Sequence, residues 1–191
     1  MPRWLCVACV CAALGLTACE SPPSKEMDQA QGAIDAARAA GADRYAKVEY
    51  AAATDALKRS QDAVAQRDYR QALNEALDSR EHAQNAAREA ADTKAQLRAE
   101  VERELAEIAI LVAQANTRLA TATRSRAPAR TLEAQRRALA AVGESVQKAG
   151  DAAGTGDYLT AQAALKGSKA KVTEVLTALA PSGAQSLRRP G

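Results

Sequence analysis

DYRQALNEALDSREHAQNAAREAADTKAQLRAEVERELAEIAILVAQANTRLATAT, residues 68–123, decides the fold. It sits inside a longer run, Ala42 to Ala127, that holds neither glycine nor proline. Ala, Glu, Arg, Gln and Leu dominate it, and these residues lose little freedom on entering a helix. No alternation of β-branched and polar residues is sustained anywhere in the chain, so no strand is predicted. Asp68 is placed to cap a helix that continues to about Thr123, roughly 80 Å at 1.5 Å per residue. Its first half is lined by Ala83, Ala86, Ala87, Ala90 and Ala91, and between Asp78 and Gln96 no apolar residue exceeds alanine. Its second half carries real bulk at helical spacing: Leu97, Val101, Leu105, Ile108, Val112, Ala115 and Leu119.

Working outward from that helix, Arg67-Asp68-Tyr69 reads as a tight turn. A second helix precedes it, from about Arg44 to Gln66, with a stripe of Tyr50, Ala53, Leu57, Ser60 and Val64. A first helix, about Glu26 to Ala40, is mostly alanine around Ile34. Gly32 weakens it, Gly41 is its C-cap, and Asp43 is placed to cap the second helix. Downstream, Pro128 ends the third helix or opens a fourth, Ala129 to Ala149, with Leu132, Leu139, Val142 and Val146. Gly150, Gly154 and Gly156 read as a loop. Asp157-Tyr158 then begins a fifth helix that ends near Leu179, before Pro181. The predicted fold class is all-α: antiparallel helical hairpins, a bundle of about five helices around one long central helix. The helical domain spans 26–180, and the tail at 181–191 is expected to be disordered.

Displacing the chain by 89 residues superposes two hairpins, about 44–90 and 131–179. Tyr50, Ala53, Leu57, Ser60 and Val64 land on Leu139, Val142, Val146, Ala149 and Ala153. Asp68-Tyr69 lands on Asp157-Tyr158. Ala72, Ala76, Ser79, Ala83, Ala86 and Ala90 land on Ala161, Leu165, Ser168, Val172, Val175 and Leu179. The shared Asp-Tyr-x-x-Ala has a mechanism. Asp68 and Asp157 accept from the free amides of the next helix, Tyr69 and Tyr158 pack at the hairpin mouth, and the alanine lets the partner helix approach.

Gly156-Asp157-Tyr158-Leu159-Thr160-Ala161 resembles the second-helix start of tetratricopeptide hairpins. The first copy has Arg67 for the glycine, the first-helix Trp and Leu-Gly pattern is missing, and the copies do not repeat at the roughly 34-residue period of that family. The resemblance implies local packing of that type, not a peptide-binding solenoid.

At the N-terminus, Met1-Pro2-Arg3, an apolar Trp4 to Leu16, and Leu16-Thr17-Ala18-Cys19 read as a secretory leader. The apolar stretch is shorter than the about 20 residues of a membrane span. The last four residues resemble the bacterial lipoprotein signal. The resemblance implies cleavage before Cys19, residues 1–18 being signal peptide. It also implies diacylglycerol on the Cys19 sulfur, usually with an N-acyl chain such as palmitate. Glu20 after the lipidated position implies, by analogy with enteric sorting, the outer membrane facing the periplasm. Residues 19–25, with Pro22 and Pro23, are expected to be an extended linker in which two prolines start no helix. Met27 to Ala95 adds Ala36 to Ala42, Tyr45-Ala46, Ala51-Ala52-Ala53, Leu57, Asp68-Tyr69 and Ala72. This span resembles the alanine-rich lipoprotein domain of unknown function common in Gram-negative bacteria. That family often has Pro after the Tyr-Ala pair, where Lys47 stands here; it implies a location and a hairpin fold but no chemistry.

The chain carries 26 Lys and Arg against 23 Asp and Glu, a net +3, too even a balance for general nucleic-acid binding. All four cysteines lie at or before Cys19, so none remains for a disulfide, metal or nucleophile. His82, the one histidine, stands among Arg80, Glu81 and Gln84 and reads as a surface residue. Glu100, Glu102, Glu104 and Glu107 lack the histidine partners of a helical di-metal site, and Arg98 and Arg103 interleave with them, so an ion-paired face is expected. No catalytic residue, cofactor or metal is assigned. One uneven feature stands out: Arg118, Arg124, Arg126, Arg130, Arg136 and Arg137 against Glu133 alone. Cations suit a helix C-terminus, and the same cluster is the candidate contact patch for an anionic polymer, a lipid or an acidic partner. The function expected is a non-catalytic adaptor or scaffold for envelope proteins, anchored in the membrane through Cys19. The alternative is a spacer or tether that contacts peptidoglycan through the arginine-rich tip. Alanine seams bury little apolar area, so self-association or a partner could add stability.

Overall fold

The computed structural model of this chain describes residues 21–180, and among these described residues there are seven helical segments; the leader with Cys19 and the tail from Pro181 lie outside them. They are α1 (Ser24–Ala40), α2 (Ala42–Tyr45), α3 (Lys47–Ala65), α4 (Tyr69–Arg124), α5 (Ala129–Gly154), α6 (Tyr158–Leu165) and α7 (Ser168–Ala178). The all-α class with one long central helix is what the sequence predicts. α4 is continuous for 56 residues, through its alanine-only stretch. The chain forms two compact units, one up to Thr93 and one from Lys94, so α4 contributes to both and each unit holds one hairpin of the quasi-repeat.

In the first unit α1, α3 and the start of α4 pack together through alanine. Ala53, Ala56, Ala72, Ala76, Ala83, Ala86 and Ala90 are all fully buried, with Ile34, Tyr45 and Leu57 as the larger members. The small seam brings backbones close enough for serine to cross it. Ser60 Oγ donates to the Ala72 carbonyl at 2.7 Å and Ser79 Oγ to the Ala53 carbonyl at 2.8 Å, which fixes α3 and α4 as antiparallel. The stripe on α3 is rotated from the predicted one: Ala56 and Ala63 are buried, while Tyr50 and Val64 are only half-buried. The reason is size. Alanine fills the narrow seam, and the tyrosine hydroxyl instead accepts from Arg38 Nε of α1 at 2.7 Å.

In the second unit the core is aliphatic. Val101, Ile108 and Ala115 of α4 meet Leu139, Val142 and Ala149 of α5 and Ala161, Leu165, Val172, Val175 and Leu176 of α6 and α7. The fifth predicted helix packs on α4 as well as on α5. Contacts Glu100–Gln162, Glu107–Lys169 and Arg118–Leu176 rise together in number, so α6 and α7 run in the direction of α4. The quasi-repeat holds in burial at some positions and not at others: Ala53 and Val142, Ser60 and Ala149, Ala76 and Leu165, Ser79 and Ser168, and Ala83 and Val172 are buried in pairs, whereas Tyr50 and Leu139, Leu57 and Val146, and Ala90 and Leu179 differ.

Several boundaries differ from those expected. α1 begins at Ser24, not Glu26, so Ser24 and Lys25 are helix, not linker. Pro23 is its N-cap and accepts from the Met27 amide at 3.0 Å, a place where a missing proline N–H costs nothing. The predicted second helix is broken at Ala46, φ −139°, between the single turn α2 and α3. Lys47 is therefore the first residue of α3, the position at which a proline is best tolerated. Asp43 caps nothing: Gly41, φ 88°, closes α1 and directly precedes α2. α5 runs through Gly150 to Gly154, so those glycines are helical, and only Gly156, φ 77°, belongs to the turn. The predicted fifth helix is interrupted at Lys166-Gly167, where Gly167 takes φ 82°.

One turn recurs three times. At Arg67, Arg126 and Gly156 the backbone is left-handed, with φ of 60°, 57° and 77°. Each time the next amide reaches back along the helix, Asp68 to Ala63, Ala127 to Ala122 and Asp157 to Ala152, at 2.9, 3.1 and 2.9 Å. This paired closure satisfies the last carbonyls of the helix. Asp68 and Asp157 then cap the following helix as predicted, accepting from the amides of Gln71 at 2.9 Å and Thr160 at 3.2 Å. A side chain in that backbone region costs about 1–2 kcal/mol. Arg67→Gly is therefore expected to stabilise the first unit by about 0.5–1 kcal/mol, after the entropy glycine adds to the unfolded chain. A rise in the urea midpoint at unchanged slope is the expected readout.

Candidate functional site

The arginine-rich region is built by the end of α4, the second of these turns and the start of α5. Arg124 is the last residue of α4, Arg126 sits at the left-handed position and Arg130 is the second residue of α5. Pro128 precedes α5 and, unlike Asp68 and Asp157, supplies no side-chain cap. All six predicted arginines are exposed, but they are not alike. Arg118 Nη1 donates to the Leu176 carbonyl at 2.8 Å, in the last turn of α7, so it closes the second unit. Arg137 Nε lies 4.0 Å from Glu133 Oε1 within α5. Arg124, Arg126, Arg130 and Arg136 make no ion pair or side-chain hydrogen bond with any described residue. The candidate patch therefore reduces to Arg124, Arg126 and Arg130 at the turn, with Arg136 behind.

A second feature surrounds them. Thr117, Thr121, Thr123 and Ser125 are exposed, and each donates its hydroxyl proton to the carbonyl four residues earlier, at 3.0, 3.1, 2.8 and 2.7 Å. Each oxygen keeps lone pairs able to accept, as do Ser145, Thr173 and Thr177, which bond the same way elsewhere. Thr131 adds a fifth exposed hydroxyl. Sequence reading missed this ladder, although the signal was present as threonines at i, i+4 spacing beside the arginines.

The other residues singled out are placed elsewhere. Tyr69 and Tyr158 are half-buried at the two hairpin turns. His82 belongs to the first unit, its Nδ1 2.8 Å from Glu49 Oε2, so it bridges α3 and α4 and is half-buried instead of free on the surface. Of the carboxylates, Glu102 pairs with Arg98 at 2.8 Å, Glu107 with Lys169 at 2.6 Å, and Glu100 accepts from Gln162 at 3.3 Å. Glu100 and Glu107, with Arg103, Glu104 and Lys169, line an open groove of about 500 Å³. Among the described residues no group of three His, Cys, Asp or Glu is placed to hold a metal ion. The hydrogen bond from Lys169, with its charge, holds the Glu107 carboxyl below its usual range. A carboxyl depressed on folding contributes stability above its unfolded pKa and loses it as pH falls through the folded one. Lys169→Met should thus lower stability at neutral pH and flatten the acid limb below the ordinary carboxylate range. The effect is small because the pair is solvated; urea midpoints between neutral and acid pH check it.

Comparison with protein-family models, with curated proteins and with solved structures finds no match. No described helix is long and apolar enough to cross a membrane.

Proposed function

We propose that the chain is a lipid-anchored envelope protein, tethered through Cys19 in the outer membrane and facing the periplasm, that acts as a non-catalytic scaffold for other envelope proteins. The address is argued from Leu16-Thr17-Ala18-Cys19. The scaffold role rests on one observation: α4, a single 56-residue helix, supplies core residues to two helical units with different cores. Such a chain offers long helix faces to partners. Crosslinking of the lipidated protein in cells, followed by identification of its neighbours, is expected to give a reproducible set of envelope proteins across salt concentrations. Recovery of none overturns the scaffold reading.

A second reading is favoured by the guanidinium groups at the α4–α5 turn that pair with no described residue. In it the chain is a spacer that touches peptidoglycan through that tip, by charge-assisted contacts that weaken with salt. Cosedimentation with purified sacculi is expected to fall when Arg124, Arg126 and Arg130 are replaced by alanine, and unchanged binding excludes the tip.

A further inference from the structure

From Ile108 to Leu132 there is no acidic residue, and between Lys94 and Lys148 every basic residue is an arginine. Arginine presents a planar fork that matches the two oxygens of a carboxylate, where lysine offers a point charge. Three such groups, Arg124, Arg126 and Arg130, are exposed and make no ion pair with any described residue, on the stretch that also carries the exposed hydroxyls of Thr117, Thr121 and Ser125. Thr117, Thr121 and Arg124 follow one another at i, i+4 and i+7, on one face of α4. We propose that this turn is a docking surface for an acidic glycan, a hydroxyl-rich polymer that also carries carboxylates.

Guanidinium groups take the carboxylates, and the threonine oxygens, their protons already given to backbone carbonyls, accept from sugar hydroxyls. Two competing occupants fit less well. A membrane surface would be gripped by large apolar side chains among the arginines, but among the described residues the exposed ones are Val48, Leu77 and Ile110, none at the turn. A bare polyanion brings no hydroxyl to donate to the threonine oxygens. No aromatic residue lies between Tyr69 and Tyr158, so sugar stacking contributes nothing and binding depends on charge.

This inference rests on the tether reading, and its test separates the two. Binding of the full chain in neutral detergent is measured with oligogalacturonate, its methyl ester, polyglutamate and polyphosphate as probes. Oligogalacturonate is expected to bind best, and esterification to weaken it about tenfold or more. Arg124→Gln with Arg126→Asn and Arg130→Gln should lose a similar factor, the asparagine tolerating the left-handed backbone. Thr117→Val with Thr121→Val should weaken oligogalacturonate roughly threefold and leave polyglutamate unchanged. Polyglutamate or polyphosphate binding as tightly as oligogalacturonate, or an equally tight methyl ester, overturns the glycan assignment while leaving the tip as a contact site. Wild-type binding by the arginine variant overturns the tip reading itself.

Discussion

Leu165→Ala is expected to destabilise the second unit by about 2–5 kcal/mol. Leu165 is fully buried in the aliphatic core among residues of α4, α5 and α7. Removing three carbons loses their transfer free energy and leaves a cavity. Three helices converge there, so collapse into the space requires moving a whole segment. α6 has only eight residues and is followed directly by the Lys166-Gly167 break. It holds its place by this contact more than by its own helicity. Hydrogen exchange should report the loss, with protection falling in α6 and α7 while amides of α1 and α3 are unaffected. A change below about 1 kcal/mol would mean that α6 is not seated as described.

Ala76→Leu makes the reverse exchange at the equivalent position of the other copy, and it too should destabilise, by about 1–3 kcal/mol or more. Ala76 is fully buried on α4, one turn from Ala72 and Ser79. Those neighbours mark how close α3 lies, since Ser60 and Ser79 bond directly to backbone carbonyls across the interface. A leucine cannot enter without forcing the helices apart and breaking both serine bonds, each leaving a buried polar group without a partner. Apolar area alone would favour the larger residue, at roughly 25 cal/mol per Å². The steric cost wins because interiors have no slack to give. Urea unfolding by circular dichroism decides the sign, and stabilisation would contradict the close alanine packing.

The architecture was legible where spacing and chemistry agreed. The run from Asp68 to Thr123 reads as one helix and is one, ending at Arg124. The Asp68-Tyr69 and Asp157-Tyr158 turns were readable because Asp is a strong cap. The same closure at Arg126 was hidden, since arginine seldom takes a left-handed backbone and Pro128 replaces the capping Asp. The break at Ala46 was also hidden, because no residue there breaks a helix on its own account. Glycine misled in both directions: Gly150 and Gly154 are helical, whereas Gly167 is not. In the arginine cluster the sequence could not tell which guanidinium groups are engaged within the fold. Arg118 is engaged by the Leu176 carbonyl, a contact 58 positions distant that only the packing of α7 on α4 creates.

The address at Cys19 carries the functional account, and mass spectrometry of the protein extracted from cell membranes tests it most directly. The account predicts an N-terminal peptide that begins at Cys19 and carries diacylglycerol on sulfur together with an N-acyl chain. An intact Met1 leader, or a free Cys19 thiol on the mature chain, would contradict it.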